Sequence, residues 1–216
     1  MTDTEPVAPA RADDADTERR ILDAARHVFT SRGTAGARMQ EIAAVAGVNQ
    51  ALLHYYFRSK DALALAVFRE AAARLFPVLL RILSEELPLE ERVTRVVRHY
   101  IDTLREHPYL PGYVLAEINF DRERIPALAR DMGALQLDLV RSVLRRLDDE
   151  LAQRAAAGEI RPIGAEQFIA NVASLCVFPF AARPMLQHMT GLDDWDAFLA
   201  ERERELPGFI LNALRP

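Results

Sequence analysis

The chain has 216 residues, half of them hydrophobic and 27% charged, with a formal net charge of −5 and one cysteine, Cys176. This suits a globular protein of one or two modest domains, excludes an internal disulfide and fits a reducing cytoplasm. Read globally, the acidity argues against nucleic acid as a partner, so the distribution of charge along the chain decides.

Residues 1–16 carry one arginine against five acids, are rich in Ala, Asp and Pro, and lack an apolar period. They are predicted to be a disordered acidic tail, with no apolar stretch behind a basic start of the kind a secretion signal needs. Residues 17–60 reverse the sign, with six Arg and Lys60 against three acids, and residues 61–216 return to a net −5. A basic segment on an acidic body suits a protein that offers one end to phosphates.

Almost every segment has the helical period and none alternates like a strand, so the fold class is all-α. The first helix is predicted at about 17–31, with Ile21, Leu22, Ala25, Val28 and Phe29 on one face, Thr17 as N-cap and Gly33 as stop. A second follows at 38–46 and a third at 49–57. Ser59 caps a fourth, which Pro77 kinks or ends. Further helices are predicted at 89–106, 109–120, 127–157 (stopped by Gly158), 165–188 and 194–214, with Pro179, Pro184 and Pro207 bending or shortening the last two. The apolar run Phe168–Ala182, broken by Asn171, Ser174 and Pro179, falls short of the roughly 20 residues a membrane span needs.

The informative stretch is 38–57, Arg-Met-Gln-Glu-Ile-Ala-Ala-Val-Ala-Gly-Val-Asn-Gln-Ala-Leu-Leu-His-Tyr-Tyr-Phe. Two short helices that cross closely need a small residue at the crossing, which Ala43 supplies. They also need a residue at ease at positive φ in the turn, which Gly47 supplies. Val48, Leu53 and Phe57 then face inward, leaving Gln50, Ala51, His54 and Tyr55 outward. An amide can pair with adenine, and an alanine methyl can lie against thymine. The Ala-x3-Gly spacing by itself fits a plain surface hairpin equally well.

The whole of 17–63 resembles the DNA-binding domain of the TetR family. The shared features are the amphipathic first helix, Ile42-Ala43, Ala46-Gly47-Val48, the aromatic cluster ending in Phe57, and Ser59-Lys60-Asp61-Ala62-Leu63. The resemblance implies a three-helix helix-turn-helix domain over 17–63 and a helical ligand-binding and dimerisation domain over 64–216. It implies that Asn49–Phe57 is the recognition helix, with Asn49, Gln50, Ala51, His54 and Tyr55 at the DNA, Gln40 at a base or phosphate, and Lys60 at a phosphate. Lys60 is the only lysine beside 26 arginines. The family's usual recognition-helix tyrosine is His54 here. Its threonine pair before the second helix is Ala37-Arg38, which offers Arg38 as a further phosphate contact.

The resemblance also implies a homodimer paired through helices 165–188 and 194–214, a double-stranded operator and a small-molecule effector. Candidate pocket residues are Tyr100, Tyr113, Glu117, Phe120, Met132 and Phe178, each of which also fits ordinary core packing. The five histidines, His27, His54, His99, His107 and His188, have no metal-like spacing, and no phosphate loop or nucleophile–base pair is discernible. No enzyme activity, metal or cofactor is expected. The reading is of a cytoplasmic, sequence-specific regulator, by default a repressor. The rival is a helical carrier or interaction protein whose helix-turn-helix has lost DNA. The arginine-biased, alanine-rich composition is of a kind that a GC-rich bacterial genome encodes.

Overall fold

The computed structural model describes residues 10–112 and 134–216, and every regular element among them is a helix. In chain order these are α1 (Ala10–Gly36), α2 (Met39–Ala46), α3 (Gln50–Tyr56), α4 (Lys60–Ser84), α5 (Leu89–Glu106), α6 (Ala134–Ala156), α7 (Ala165–Ala181), α8 (Arg183–Thr190) and α9 (Trp195–Asn212). The chain forms two compact units, one ending at Glu70 and the other starting at Ala71.

In the first unit, α1 buries Ile21, Ala24, Ala25, Val28 and Phe29 on one stripe. Ile42, Ala43 and Ala46 of α2, Leu53 of α3, Phe57, and Leu63, Ala64 and Val67 of α4 complete the core. Two expectations at the start of α1 need correction. The helix begins at Ala10, so residues 10–16 are helical, and Thr17 is a buried residue inside the helix instead of its cap. Alanines at 10, 12 and 15 favour helix, acids near its N-terminus suit the helix dipole, and Asp16 pairs with Arg19 at 2.8 Å. Gly33 does interrupt α1, with φ 67° and ψ 164°, a conformation that side chains with a Cβ essentially exclude.

In the second unit, α5 packs on α7 and α9, and α7 also contacts α6 and α8. Buried residues repeat at helical spacing: Val93, Val97, Ile101 and Leu104 on α5, Val143, Leu147 and Leu151 on α6, and Phe168, Val172 and Cys176 on α7. Pro77 does not end α4, which runs on to Ser84. Leu75, Leu79 and Ile82 are buried on either side of it, so packing outweighs the roughly 3 kcal/mol a helix-interior proline costs.

The single helix expected over 165–188 is two, α7 and α8, bent by 73°. Pro184 lacks the N–H that would continue α7, and it sits instead in the first turn of α8. Pro179 lies inside α7 and cannot donate to the Leu175 carbonyl four residues back. Nη2 of Arg202 on α9 takes that carbonyl at 2.5 Å. Asp194 caps α9 by accepting from the Ala197 N–H at 2.8 Å. Beside it, Trp195 meets Phe180 edge-on and lies under the Arg183 guanidinium.

Gly158 ends α6 at φ 75°. The segment 109–120 and the first part of 127–157 lie largely outside the described residues. Among the described residues no single helix is long and apolar enough to cross a membrane.

Candidate functional site

The turn between α2 and α3 is set by Gly47, left-handed at φ 67° and ψ 32°. Its N–H donates to the Ala44 carbonyl at 3.2 Å, and the Val48 N–H donates to that of Ala43 at 3.0 Å, closing α2. Asn49 then caps α3, its Oδ1 accepting from the Leu52 N–H at 2.7 Å. That bond occupies the oxygen of a residue expected at the DNA, leaving its NH₂ for other contacts.

With the turn so held, Leu53 is fully buried and Phe57 nearly so, while Val48 is half-buried. Gln50, Ala51, His54 and Tyr55 are exposed, Tyr55 to 78%. Leu52 is exposed beside them, a position the sequence reading assigned to neither face. A 3.6-residue period brings i, i+1, i+4 and i+5 onto one stripe, so these four side chains form a single outward row.

Salt bridges sort the cations of this unit. Arg19 and Arg20 pair with Asp16, Arg26 with Asp23 and Glu70, and Arg32 with Glu41. Among its described residues, Arg38 and Arg58 are exposed cations without a carboxylate partner. Arg38 is also the extended N-cap of α2, with no side-chain cap there, and Gln40 is exposed two residues on. Arg58 was not singled out from the sequence. Its signal was its place immediately after the buried Phe57, where the chain turns back to the surface.

Lys60, the first residue of α4, donates from Nζ to the carbonyls of Ala35 at 3.1 Å and Ala37 at 3.4 Å. It therefore ties down the chain between α1 and α2, and one of its three N–H bonds is left for an anion. Ser59 caps α4 by accepting from the Ala62 N–H at 3.1 Å. Tyr56 donates from its hydroxyl to Asp14 Oδ1 at 2.8 Å, linking the start of α1 to the end of α3. The hydrogen bond to Asp14, with burial second, raises the Tyr56 pKa above the ordinary phenol value.

The second unit contains a cavity of about 360 Å³ among α4, α5, α6 and α7. Leu79, Val93, Val96, Val143, Phe168 and Val172 supply much of its apolar wall, with Tyr100 and Arg92 also at the lining. Tyr100, one of the candidate pocket residues, lines this cavity, and burial pushes its phenol up to about 12. Phe178 needs correction, being 53% exposed and not at this cavity. The cavity-facing residues of α7 are 168, 169, 172 and 173, and position 178 falls on another face of the helix. Tyr113, Glu117, Phe120 and Met132 lie outside the described residues. Arg92 was missed because its spacing on α5 matches a surface arginine, and only the fold turns it inward.

Phe178, Met185, Met189 and Phe209 are large apolar side chains left exposed on α7, α8 and α9. Within the segments expected to pair two copies, 165–188 and 194–214, Phe168, Val172, Trp195, Leu199, Leu206 and Ile210 are buried within the chain itself. Among the described residues no group of three His, Cys, Asp or Glu could hold a metal ion.

Residues 21–67 match the family model for bacterial regulatory proteins of the tetR family, and residues 90–207 match that for the tetracyclin repressor-like C-terminal domain. The HTH-type transcriptional regulator RutR of Escherichia coli (strain K12) is 25% identical over 205 residues, covering 92% of this chain and 91% of RutR. Among solved structures, the hemolysin II transcriptional regulator HlyIIR is 22% identical with a TM-score of 0.60, covering 94% of this chain and 99% of that one. FadR from Bacillus subtilis, crystallised with stearoyl-CoA, is 17% identical with a TM-score of 0.62, covering 91% and 99%. At these identities the two structures speak for the fold alone.

Proposed function

The chain belongs to the TetR family of helix-turn-helix transcriptional regulators, and from that premise we propose that it is a homodimeric repressor released from a palindromic operator when a small molecule fills the cavity of its second unit. The observation that carries the reading is the outward row Gln50, Ala51, His54 and Tyr55, anchored from beneath by buried Leu53 and Phe57. Such a row presents hydrogen-bonding and methyl groups to a major groove on a rigid helix. Gln50 and Ala51 read base edges, while Tyr55 and His54 reach bases or sugar-phosphate. Arg38, Gln40, Arg58 and Lys60 hold the backbone, with the Asn49 amide at the same surface. A regulator at this work resides in the cytoplasm with its DNA.

One helix-turn-helix covers too few bases for useful specificity, so two copies read two half-sites about 34 Å apart or a related multiple. The exposed Phe178, Met185, Met189 and Phe209 supply an apolar surface for pairing through 165–188 and 194–214. Phe76, Leu79, Leu80 and Leu83 at the cavity and Lys60 belong to one continuous helix, α4. A ligand that shifts the far end of α4 therefore acts on the same helix that carries Lys60, although Pro77 omits one hydrogen bond from it. A hundredfold loss of operator affinity needs only about 2.7 kcal/mol of coupling.

The test is selection of bound duplexes from a random library at moderate salt. Recovery of an inverted repeat is expected. Uniformly weak binding with no enriched sequence would refute the proposal in favour of a carrier or interaction role.

A further inference from the structure

Apart from hydrocarbon, the described wall of the cavity carries two polar side chains, Tyr100 and Arg92. Arg92 is only 5% exposed and already committed. Its Nε donates to the Leu87 carbonyl at 3.1 Å, its Nη1 to that of Leu83 at 3.2 Å, and its Nη2 to both carboxylate oxygens of Glu150. These bonds cap the end of α4, neutralise the guanidinium and engage all three of its nitrogens. Among the described lining residues Arg92 is the one cation, so a ligand carboxylate at this wall would have to displace Glu150 or stand desolvated beside an already paired guanidinium, and either is costly. The Tyr100 hydroxyl, by contrast, has no hydrogen-bond partner among the described residues, and with its proton held to about pH 12 it stays a neutral phenol. The volume, about 360 Å³, lies near the small end of ligand sites, which run roughly 300–1,000 Å³.

We propose that the effector is a small, electrically neutral, largely hydrocarbon molecule with one hydrogen-bonding group that meets the Tyr100 hydroxyl, and that Glu150 excludes anionic analogues by holding Arg92. This rests on reading the cavity as the effector site, but its test needs no DNA. The full-length protein is titrated with the neutral fluorophore N-phenyl-1-naphthylamine, and the bound probe is competed with decanol or decanoate at about pH 8, where the acid is ionised. Decanol should displace the probe at a concentration at least about tenfold lower than decanoate. Tyr100→Phe should weaken decanol about three- to tenfold while the probe still binds. Glu150→Gln should improve decanoate relative to decanol by about tenfold, because it frees a guanidinium for the acid.

Equal competition by decanoate in the unaltered protein, no effect of Tyr100→Phe, or no probe binding would each overturn the proposal. Tyr100→Phe removes one oxygen and keeps the ring, so the test stands even where Glu150→Gln fails to fold. Displacement by decanol that leaves operator binding untouched would sink the sensing role while leaving the cavity's preference for neutral ligands standing. Operator release by an anionic compound that decanol cannot mimic would do the reverse.

Discussion

Lys60 offers two roles that one substitution can separate. Lys60→Met keeps the aliphatic stem and removes the ammonium, hence both bonds to the carbonyls of Ala35 and Ala37 and any bond to phosphate. Two partly exposed hydrogen bonds to backbone carbonyls are together worth about 1–2 kcal/mol. For a domain of this size that is a melting temperature lower by roughly 5–10 °C. A phosphate contact has a different signature, a slope of log K against log salt of about −0.9 per phosphate neutralised. A dimer carries two such lysines, so the variant's slope should be shallower by about 1.8, and a fourfold rise in salt should cost it about twelvefold less affinity than the unaltered protein loses. Fluorescence anisotropy with the selected operator and an unrelated duplex, between about 50 and 200 mM salt, measures both. The expected result is lower stability, a shallower slope and weaker binding to both sequences. An unchanged slope with a lower melting temperature would leave Lys60 a tie between α1 and α2 and refute the phosphate contact.

Gln50→Ala should cost about 1–3 kcal/mol on the selected operator and almost nothing on unrelated DNA, read in the same anisotropy assay. At Gly47 an added Cβ meets nothing within 4 Å, so Gly47→Ala should cost only the left-handed strain at φ 67°, about 1–2 kcal/mol by thermal melting. A much larger loss would mean that the turn itself rearranges. Burial pushes the Cys176 thiol up to about 12, so iodoacetamide should leave the folded protein unlabelled near pH 8 and label it once denatured. The raised pKa of Tyr56 means that its bond to Asp14 stabilises the fold below the ordinary phenol value near 10 and is lost as pH rises through the folded value. Asp14→Asn should therefore lower the spectrophotometric pKa of Tyr56.

Much of the fold could be read from the chain because its determinants are local. The buried stripe of α1, the Ser59 cap and the Gly47 turn each depend on residues within a few positions of one another, and a helical period exposes them. The outward row on α3 follows from the same rule once Leu53 and Phe57 face inward.

The features hidden from the sequence lie where distant segments meet. Pro77 looks like a helix breaker until Leu75, Leu79 and Ile82 are seen packed around it. Lys60 reads as a free cation until it folds onto carbonyls 25 and 23 residues earlier, and Arg92 reads as surface until it meets Glu150, 58 residues away. The cavity is built from valines and leucines that any core would use, so composition and period cannot distinguish a lining from a filled interior. Helices form from short-range hydrogen bonds that the local sequence encodes, whereas partner choice and empty space arise from how separate helices pack, which no single segment specifies.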